Sequence, residues 1–257
     1  MTALPVRSAE EFEALKAEYD AEEGVPASTR YADVDKPVEV ISGRAWLIPN
    51  VLSPTECEDL IAAAEAHSLQ EPAKEIVRTA HRTKDWRNEE LGPRVMERLP
   101  AYILQALESS GVGTQVCGLH PNWRIVRYEA GQVFRAHQDQ SSYLKARTAD
   151  GANDTLTSSH TLLIGLSAPG TYEGGATRFW PHFFENRSYA AQEAVDVHVP
   201  MGACLVFEQK GLLHSGQPVE GGVKYVAQAG LLRSRPEGSG KLPTPSIFRT
   251  GPGLFAG

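Results

Sequence analysis

The spacing of apolar residues along the chain changes character near residue 115. Before that point the period is mostly helical. Phe12, Leu15 and Tyr19 recur at helical spacing within 8–23, which predicts a short surface helix with one docking face. A strand-like run follows over 38–48. Ser53-Pro54-Thr55-Glu56 then reads as a helix start. It offers a capping hydroxyl, a proline suited to the first helical position, and a glutamate that completes a capping box. Cys57, Leu60, Ile61 and Ala64 share one face of this helix. A second helix is predicted over 89–107, with Leu91, Val95, Met96, Leu99, Ile103 and Leu107 as its stripe. Gly92-Pro93 and Pro100 work against its continuity.

Beyond residue 115 the pattern alternates, and 123–128, 132–138, 160–166, 194–199, 203–207 and 224–232 read as strands. Helices first and many short strands after is the pattern of an α+β, mainly β, domain: a sandwich or barrel with helices on one side. The stretch 140–158 is polar and irregular, so a loop or lid is expected there. The expected organisation is an acidic, partly flexible segment over 1–40, a catalytic domain over 41–234 with its β core from about 115, and a Pro/Gly-rich tail over 235–257.

Charge and cysteine usage narrow the function classes. The chain has 25 Lys and Arg against 32 Asp and Glu, a net charge of −7. Residues 1–40 hold ten of those acids against four bases, so the remaining body is close to neutral. That argues against an extended basic surface for nucleic acid. Cys57, Cys117 and Cys204 are widely spaced and odd in number, which predicts buried free thiols in a reducing compartment. No run approaches the roughly eighteen apolar residues of a membrane span, and the first residues lack a signal-peptide core. The expectation is a cytoplasmic protein with no membrane partner.

Of the eight histidines, only His137 is followed two positions later by an acid, Asp139. On a strand, residues i and i+2 project to the same side, so the pair offers an imidazole and a carboxylate to one point. Two histidines and one carboxylate on one face of Fe(II) leave open positions that suit O₂ chemistry. The third ligand must come from another strand. His160, His182 and His198 have no cation ten residues on, whereas His214 has Lys224. His198 also fits the polar side of an alternating strand, and His214 is the preferred ligand. A cation on the neighbouring strand could hold the far carboxylate of a chelating dicarboxylate co-substrate.

With these residues in place the sequence resembles the Fe(II)- and 2-oxoglutarate-dependent dioxygenases, specifically the prolyl 4-hydroxylase-like catalytic domain. The matching stretches are Arg127-Tyr128-Glu129-Ala130-Gly131-Gln132 leading to His137-Gln138-Asp139, then Gly174-Gly175-Ala176-Thr177-Arg178-Phe179. Pro200 to Phe207, His214-Ser215-Gly216-Gln217-Pro218-Val219 and Gly222-Val223-Lys224-Tyr225 follow in the family's order. The resemblance implies a double-stranded β-helix (jelly roll) with supporting N-terminal helices. It implies iron bound by His137, Asp139 and His214, and Lys224 paired with the C5 carboxylate of 2-oxoglutarate. Tyr128 would line the co-substrate pocket, and Thr161 would reach the same ligand. O₂ would be the oxidant, with ascorbate as the reductant that rescues oxidised iron.

Substrate is less constrained. The family commonly has Glu in the Gly-Gly-Glu-Thr turn, where this chain has Ala176. After the co-substrate lysine it usually has Trp and then a Lys-Trp pair, where this chain has Tyr225 and then Ala229-Gly230. These departures remove the reason to assert a peptidyl-proline substrate; a protein side chain, a free amino acid and a small metabolite all stay open. Arg135, sharing a side with His137 if alternation is unbroken, and Arg147, in the possible lid, are the candidates for an anionic substrate group. Arg78, Arg82, Arg124 and Arg178 read as solvated surface arginines. Two rivals also remain: a Zn²⁺- or Mn²⁺-dependent jelly-roll enzyme without redox chemistry, and a catalytically silent binding domain. Oligomeric state is left open by the sequence.

Overall fold

The computed structural model describes residues 27–67, 69, 79–83, 86–111, 114–147, 153–186 and 194–234. The helix expected over 8–23 and the tail from 235 lie outside the described residues. Ser53 and Glu56 form the expected capping box. The Glu56 carboxylate accepts from the Ser53 amide at 2.8 Å, and the Ser53 hydroxyl accepts from the Glu56 amide at 3.2 Å. The helix they open, α1, runs Pro54–His67 and buries Cys57, Leu60 and Ala64. Pro100 divides the second expected helix into α2 (Leu91–Arg98) and α3 (Ala101–Ser109), because proline has no amide to donate inside a helix.

Two facing antiparallel sheets make up the rest. The smaller has the order β1 (Ala27–Tyr31), β13 (Ala194–Val197), β12 (Thr177–Trp180), β15 (Leu213–Gly216), β8 (Phe134–His137), with β1 joining in parallel. The larger is built on β2 (Val38–Ile41), β3 (Ala45–Ile48), β14 (Cys204–Glu208), β10 (Asn153–Gly165), β16 (Val219–Arg233), β7 (Asn122–Glu129) and β4 (His81–Arg82). Short strands β5 (Trp86–Arg87), β6 (Val116–Leu119), β9 (Tyr143–Arg147) and β11 (Tyr172–Gly174) extend its margins, and a four-residue helix α4 (Phe183–Asn186) follows β12. This is the jelly roll with supporting helices that the sequence implied.

Side-chain alternation on the larger sheet separates two environments. Trp123 and Ile125 on β7, Leu162 and Ile164 on β10, and Ala227, Ala229 and Leu231 on β16 face outward, in one core with the three helices. The intervening residues turn inward, between the sheets. Burying large side chains such as Leu or Phe contributes roughly 1.5–3 kcal/mol each, so this helix-to-sheet core stabilises the wall on which the interior is mounted.

Four expectations change. The strand-like run 38–48 is a hairpin, β2 and β3, turning at Gly43 with φ 67°. The expected loop 140–158 is largely a second hairpin: β9 pairs with β10 from Tyr143↔Thr157 to Arg147↔Asn153. Polar residues on both faces hid it, because this ribbon extends beyond the core and neither face needs to be apolar. Strand β1 and the start of β2 fall within the expected N-terminal segment 1–40, so ordered structure begins before residue 41. All three cysteines are free, but Cys117 is exposed, on the marginal strand β6.

Candidate active site

The strand pair β8–β15 sets His137 directly opposite His214, with ring centroids 4.3 Å apart. Each imidazole is fastened through Nδ1 to the carbonyl two residues earlier in its own chain. His137 Nδ1 lies 2.7 Å from the Arg135 oxygen, and His214 Nδ1 lies 3.0 Å from the Leu212 oxygen. A ring that donates from Nδ1 to a carbonyl carries its free lone pair on Nε2. Phe134 stacks on His137 at 3.7 Å and Phe207 meets His214 edge-on at 4.7 Å, which leaves little freedom for either ring.

Asp139 completes a cluster with these two nitrogens. Its Oδ1 is 3.4 Å from His137 Nε2, and its Oδ2 is 3.8 Å from His214 Nε2. One ligand atom from each of the three residues lies within 4.8 Å of the other two. The carboxylate is oriented from behind: the Thr161 hydroxyl donates to Oδ2 at 2.5 Å and the Gln228 amide at 3.2 Å. Burial alone would raise the Asp139 carboxyl, but the two imidazoles beside it and the hydrogen bond from Thr161 outweigh that, so the group stays ionised. Burial moves His214 the other way, down to about 4, which keeps it neutral at ordinary pH. Two imidazoles and an anionic carboxylate, each held by an outer hydrogen bond, are a donor set that fits Fe(II).

Beside the cluster, an inter-sheet cavity is lined by Tyr128, Val126, His137, His214, Lys224 and Gln228 among others. Its floor is the ladder between β7 and β16, where Lys224 pairs with Tyr128, Val226 with Val126, and Gln228 with Arg124. Lys224 is buried. Its ammonium donates to the Gly175 carbonyl at 2.6 Å and stands 5.7 and 6.0 Å from the ring centres of Tyr128 and Tyr172. Burial lowers it to about 8, with no carboxylate among the described residues to offset that effect.

Several expected roles are revised. Thr161 is buried against Asp139 and orients that carboxylate; it is not among the residues lining the cavity that holds Lys224. Arg135 lines neither this cavity nor the larger one beyond Asp139. The reason is a register shift where β8 pairs with β15: Phe134 and His137, an odd number of residues apart, both face the cavity, so alternation is broken. Arg147 ends β9, and its side chain lies outside the described residues. Arg178 is not a solvated arginine but makes a buried bidentate pair with Asp196, at 2.6 and 2.8 Å. Tyr225, one of the departures from the family, lies outside the cavity, donating its hydroxyl to Glu65 at 2.6 Å.

Residues 123–229 match the model of the 2OG-Fe(II) oxygenase superfamily, a span that contains His137, Asp139, His214 and Lys224. No curated protein sequence matches the chain. Among solved structures, a prolyl hydroxylase from Trichoplax adhaerens, in complex with a hypoxia inducible factor peptide fragment, superposes with a TM-score of 0.51 at 12% identity, covering 90% of this chain and 95% of that one. A 2OG-Fe(II) oxygenase family oxidoreductase from Burkholderia pseudomallei gives 0.50 at 11% identity, covering 81% and 96%. The viral collagen prolyl hydroxylase of Paramecium Bursaria Chlorella virus-1 gives 0.48 at 21% identity, covering 75% and 97%. Residues 123–229, which carry the His-Asp-His cluster and Lys224, are thus similar to the 2OG-Fe(II) oxygenase superfamily, and the fold is shared with the Trichoplax and Burkholderia structures. No helix among the described residues is long and apolar enough to cross a membrane.

Proposed function

We propose that His137, Asp139 and His214 hold the iron and that Lys224 and Tyr128 receive 2-oxoglutarate. The observation that carries this reading is Lys224: a buried ammonium facing an inter-sheet cavity beside the three ligands, with a carbonyl and two aromatic rings but, among the described residues, no carboxylate around it. Such a cation costs stability unless an anion meets it, and the distal carboxylate of a dicarboxylate is such an anion. Bound there, iron with 2-oxoglutarate and O₂ supplies oxidative decarboxylation to succinate and CO₂, coupled to hydroxylation of a substrate C–H bond.

The chain's own residues position and exclude. Arg135 and Leu212 carbonyls fix the imidazole tautomers; Thr161 and Gln228 keep the Asp139 carboxylate turned toward them. Val126, Leu163, Val226 and Phe207 keep the intervening space apolar, which strengthens the Lys224 charge interaction by excluding water. Ascorbate is proposed as the reductant that restores oxidised iron. The three free cysteines favour a reducing, cytoplasmic setting.

The test is titration of 2-oxoglutarate into Fe(II)-loaded protein without oxygen. Lys224→Ala is expected to weaken 2-oxoglutarate at least thirtyfold, on the order of 2 kcal/mol for a truncated buried charge pair, with Fe(II) binding retained. An unchanged affinity rejects the assignment of the lysine.

A further inference from the structure

Beyond Asp139, on the side away from Lys224, lies a larger cavity of about 330 Å³. It abuts the candidate centre directly, because Asp139, Thr161 and Gln228 are in its wall. The β7–β16 ladder explains its position. Inward-facing rungs run from Lys224–Tyr128 through Val226–Val126 to Gln228–Arg124. Two cations therefore stand on one interior surface, Lys224 before the ligand cluster and Arg124 beyond it. The first cavity contains Lys224 and the second contains Arg124, with Gln228 lining both.

The chemistry of the second cavity is polar. Asn122, Gln140 and Gln228 present amides to it, and Gly230 leaves its wall without a side chain. A Cβ at Gly230 would come within 2.7 Å of Ser158 Cβ, so this position has no room for anything larger. His120 contributes no charge: its Nδ1 accepts from the Asn122 amide at 3.1 Å, and burial lowers its pKa. Among the lining residues, formal charge belongs to Arg124 and to Asp139, and Asp139 is directed at the two histidines.

We infer that this cavity is the substrate site and that it takes a small polar carboxylate, of the size of a free amino acid, with Arg124 receiving the carboxylate. The inference rests on the oxygenase reading above and adds the substrate class. The volume is at the small end of the roughly 300–1,000 Å³ of ligand pockets, which suits a free molecule a few bonds long. A guanidinium holds a carboxylate bidentately, and the amides read the remaining polar groups. Anchored at Arg124, such a molecule presents its middle, not its charged end, to the iron ligands. The preference for a free acid over a peptidyl residue follows, since a residue within a chain has lost that carboxylate to an amide.

The experiment presents the full chain, with Fe(II), 2-oxoglutarate and O₂, with the free L-amino acids, their carboxamides, and acetylated, amidated peptides of the same residues. Succinate formation above the substrate-free rate and a product heavier by one oxygen are read together. At least one free acid is expected to stimulate turnover while its carboxamide does not. Arg124→Gln should raise KM for that acid at least tenfold, with Arg124→Lys recovering part of it and Arg94→Gln, on the exposed side of α2, leaving it unchanged. The visible band of the anaerobic Fe(II)–2-oxoglutarate complex reports separately on the co-substrate site. With that band intact, stimulation by carboxamides or peptides as strong as by acids, no stimulation by any free acid, or an unchanged KM in Arg124→Gln each overturns the inference. Loss of the band in the parent instead rejects the oxygenase reading beneath it.

Discussion

His137 and His214 oppose one another across β8 and β15, and both imidazoles are tied through Nδ1 to the carbonyl two residues before them. The same local device is used twice, on adjacent strands of the smaller sheet, so that two Nε2 atoms converge beside one carboxylate. Neither contact involves a side chain that substitution could remove. The rings are held by the strand backbone together with the Phe134 and Phe207 contacts, whereas the Asp139 carboxylate is held by the Thr161 and Gln228 side chains.

That asymmetry gives the first prediction. Thr161→Val keeps shape and strand propensity but deletes the hydroxyl that donates to Asp139 at 2.5 Å. Removing an outer partner of a metal ligand typically costs about 10–100-fold in metal affinity. Fe(II) affinity should fall by that order, while far-UV circular dichroism and the melting temperature stay close to the parent. An unchanged Fe(II) affinity would mean that Gln228 alone orients the carboxylate.

Lys224 gives a prediction in which stability and function part company. Its ammonium is buried and depressed to about 8, against an ordinary value near 10.5. The charged form is disfavoured in the native state, so the destabilisation is absent at high pH, grows as pH falls from about 10.5 to 8, and is complete below that. Lys224→Met should therefore raise the melting temperature at pH 7, most of all without co-substrate, while 2-oxoglutarate no longer binds. In the parent, 2-oxoglutarate affinity should fall about tenfold per pH unit above pH 8, as the free protein loses the lysine proton. Calorimetric titration from pH 7 to 9.5 reads this slope; a flat profile contradicts the role given to the charge.

Arg178 and Asp196 lie on neighbouring strands β12 and β13 in a buried bidentate pair. Removing one partner strands the other charge in the interior. Asp196→Ala should cost on the order of 3–5 kcal/mol, measured by urea unfolding, and the paired replacement Arg178→Met with Asp196→Leu should recover most of the loss. Failure of the double variant to recover would assign the loss to strand packing.

Glu56 is the fourth case. Hydrogen bonds from Arg98, first, and from the Ser53 amide hold its carboxyl down at about 2. A depressed carboxyl stabilises the fold above its ordinary pKa, and that contribution is lost as pH falls from about 4.5 towards 2. Ser53→Ala should cost about 1 kcal/mol at neutral pH. Glu56→Gln should flatten the acid limb of the stability profile in that window; an unaltered limb would contradict the assignment.

How far the sequence carried depended on what each element had to bury. α1 was legible because its cap is local and its apolar face is periodic. The inner and outer strands β7, β10, β14 and β16 were legible because both faces of the larger sheet are buried over much of their length. β9 and the start of β10 were not, since they pair outside the core. β12 and β15 are four residues each, too short to establish a period. At the site, His137 and Asp139 announced themselves by spacing, and Lys224 by its place ten residues after His214. Thr161 was named, but its bond to Asp139 was not foreseen, because which residue of β10 meets the turn after β8 depends on long-range register. Arg124 was visible as an arginine on a strand; that its side faces the interior is settled only by Trp123 and Ile125, which pack under the helices.

The most direct test of the whole account is the metal centre itself. Metal-free protein is mixed anaerobically with Fe(II) and 2-oxoglutarate, and the weak visible charge-transfer band of the chelate is followed in the parent and in His137→Ala. The account predicts a band in the parent that saturates with one 2-oxoglutarate per iron and is missing from the variant. No band in a parent that still binds Fe(II) tightly, or an equal band in His137→Ala, would contradict it.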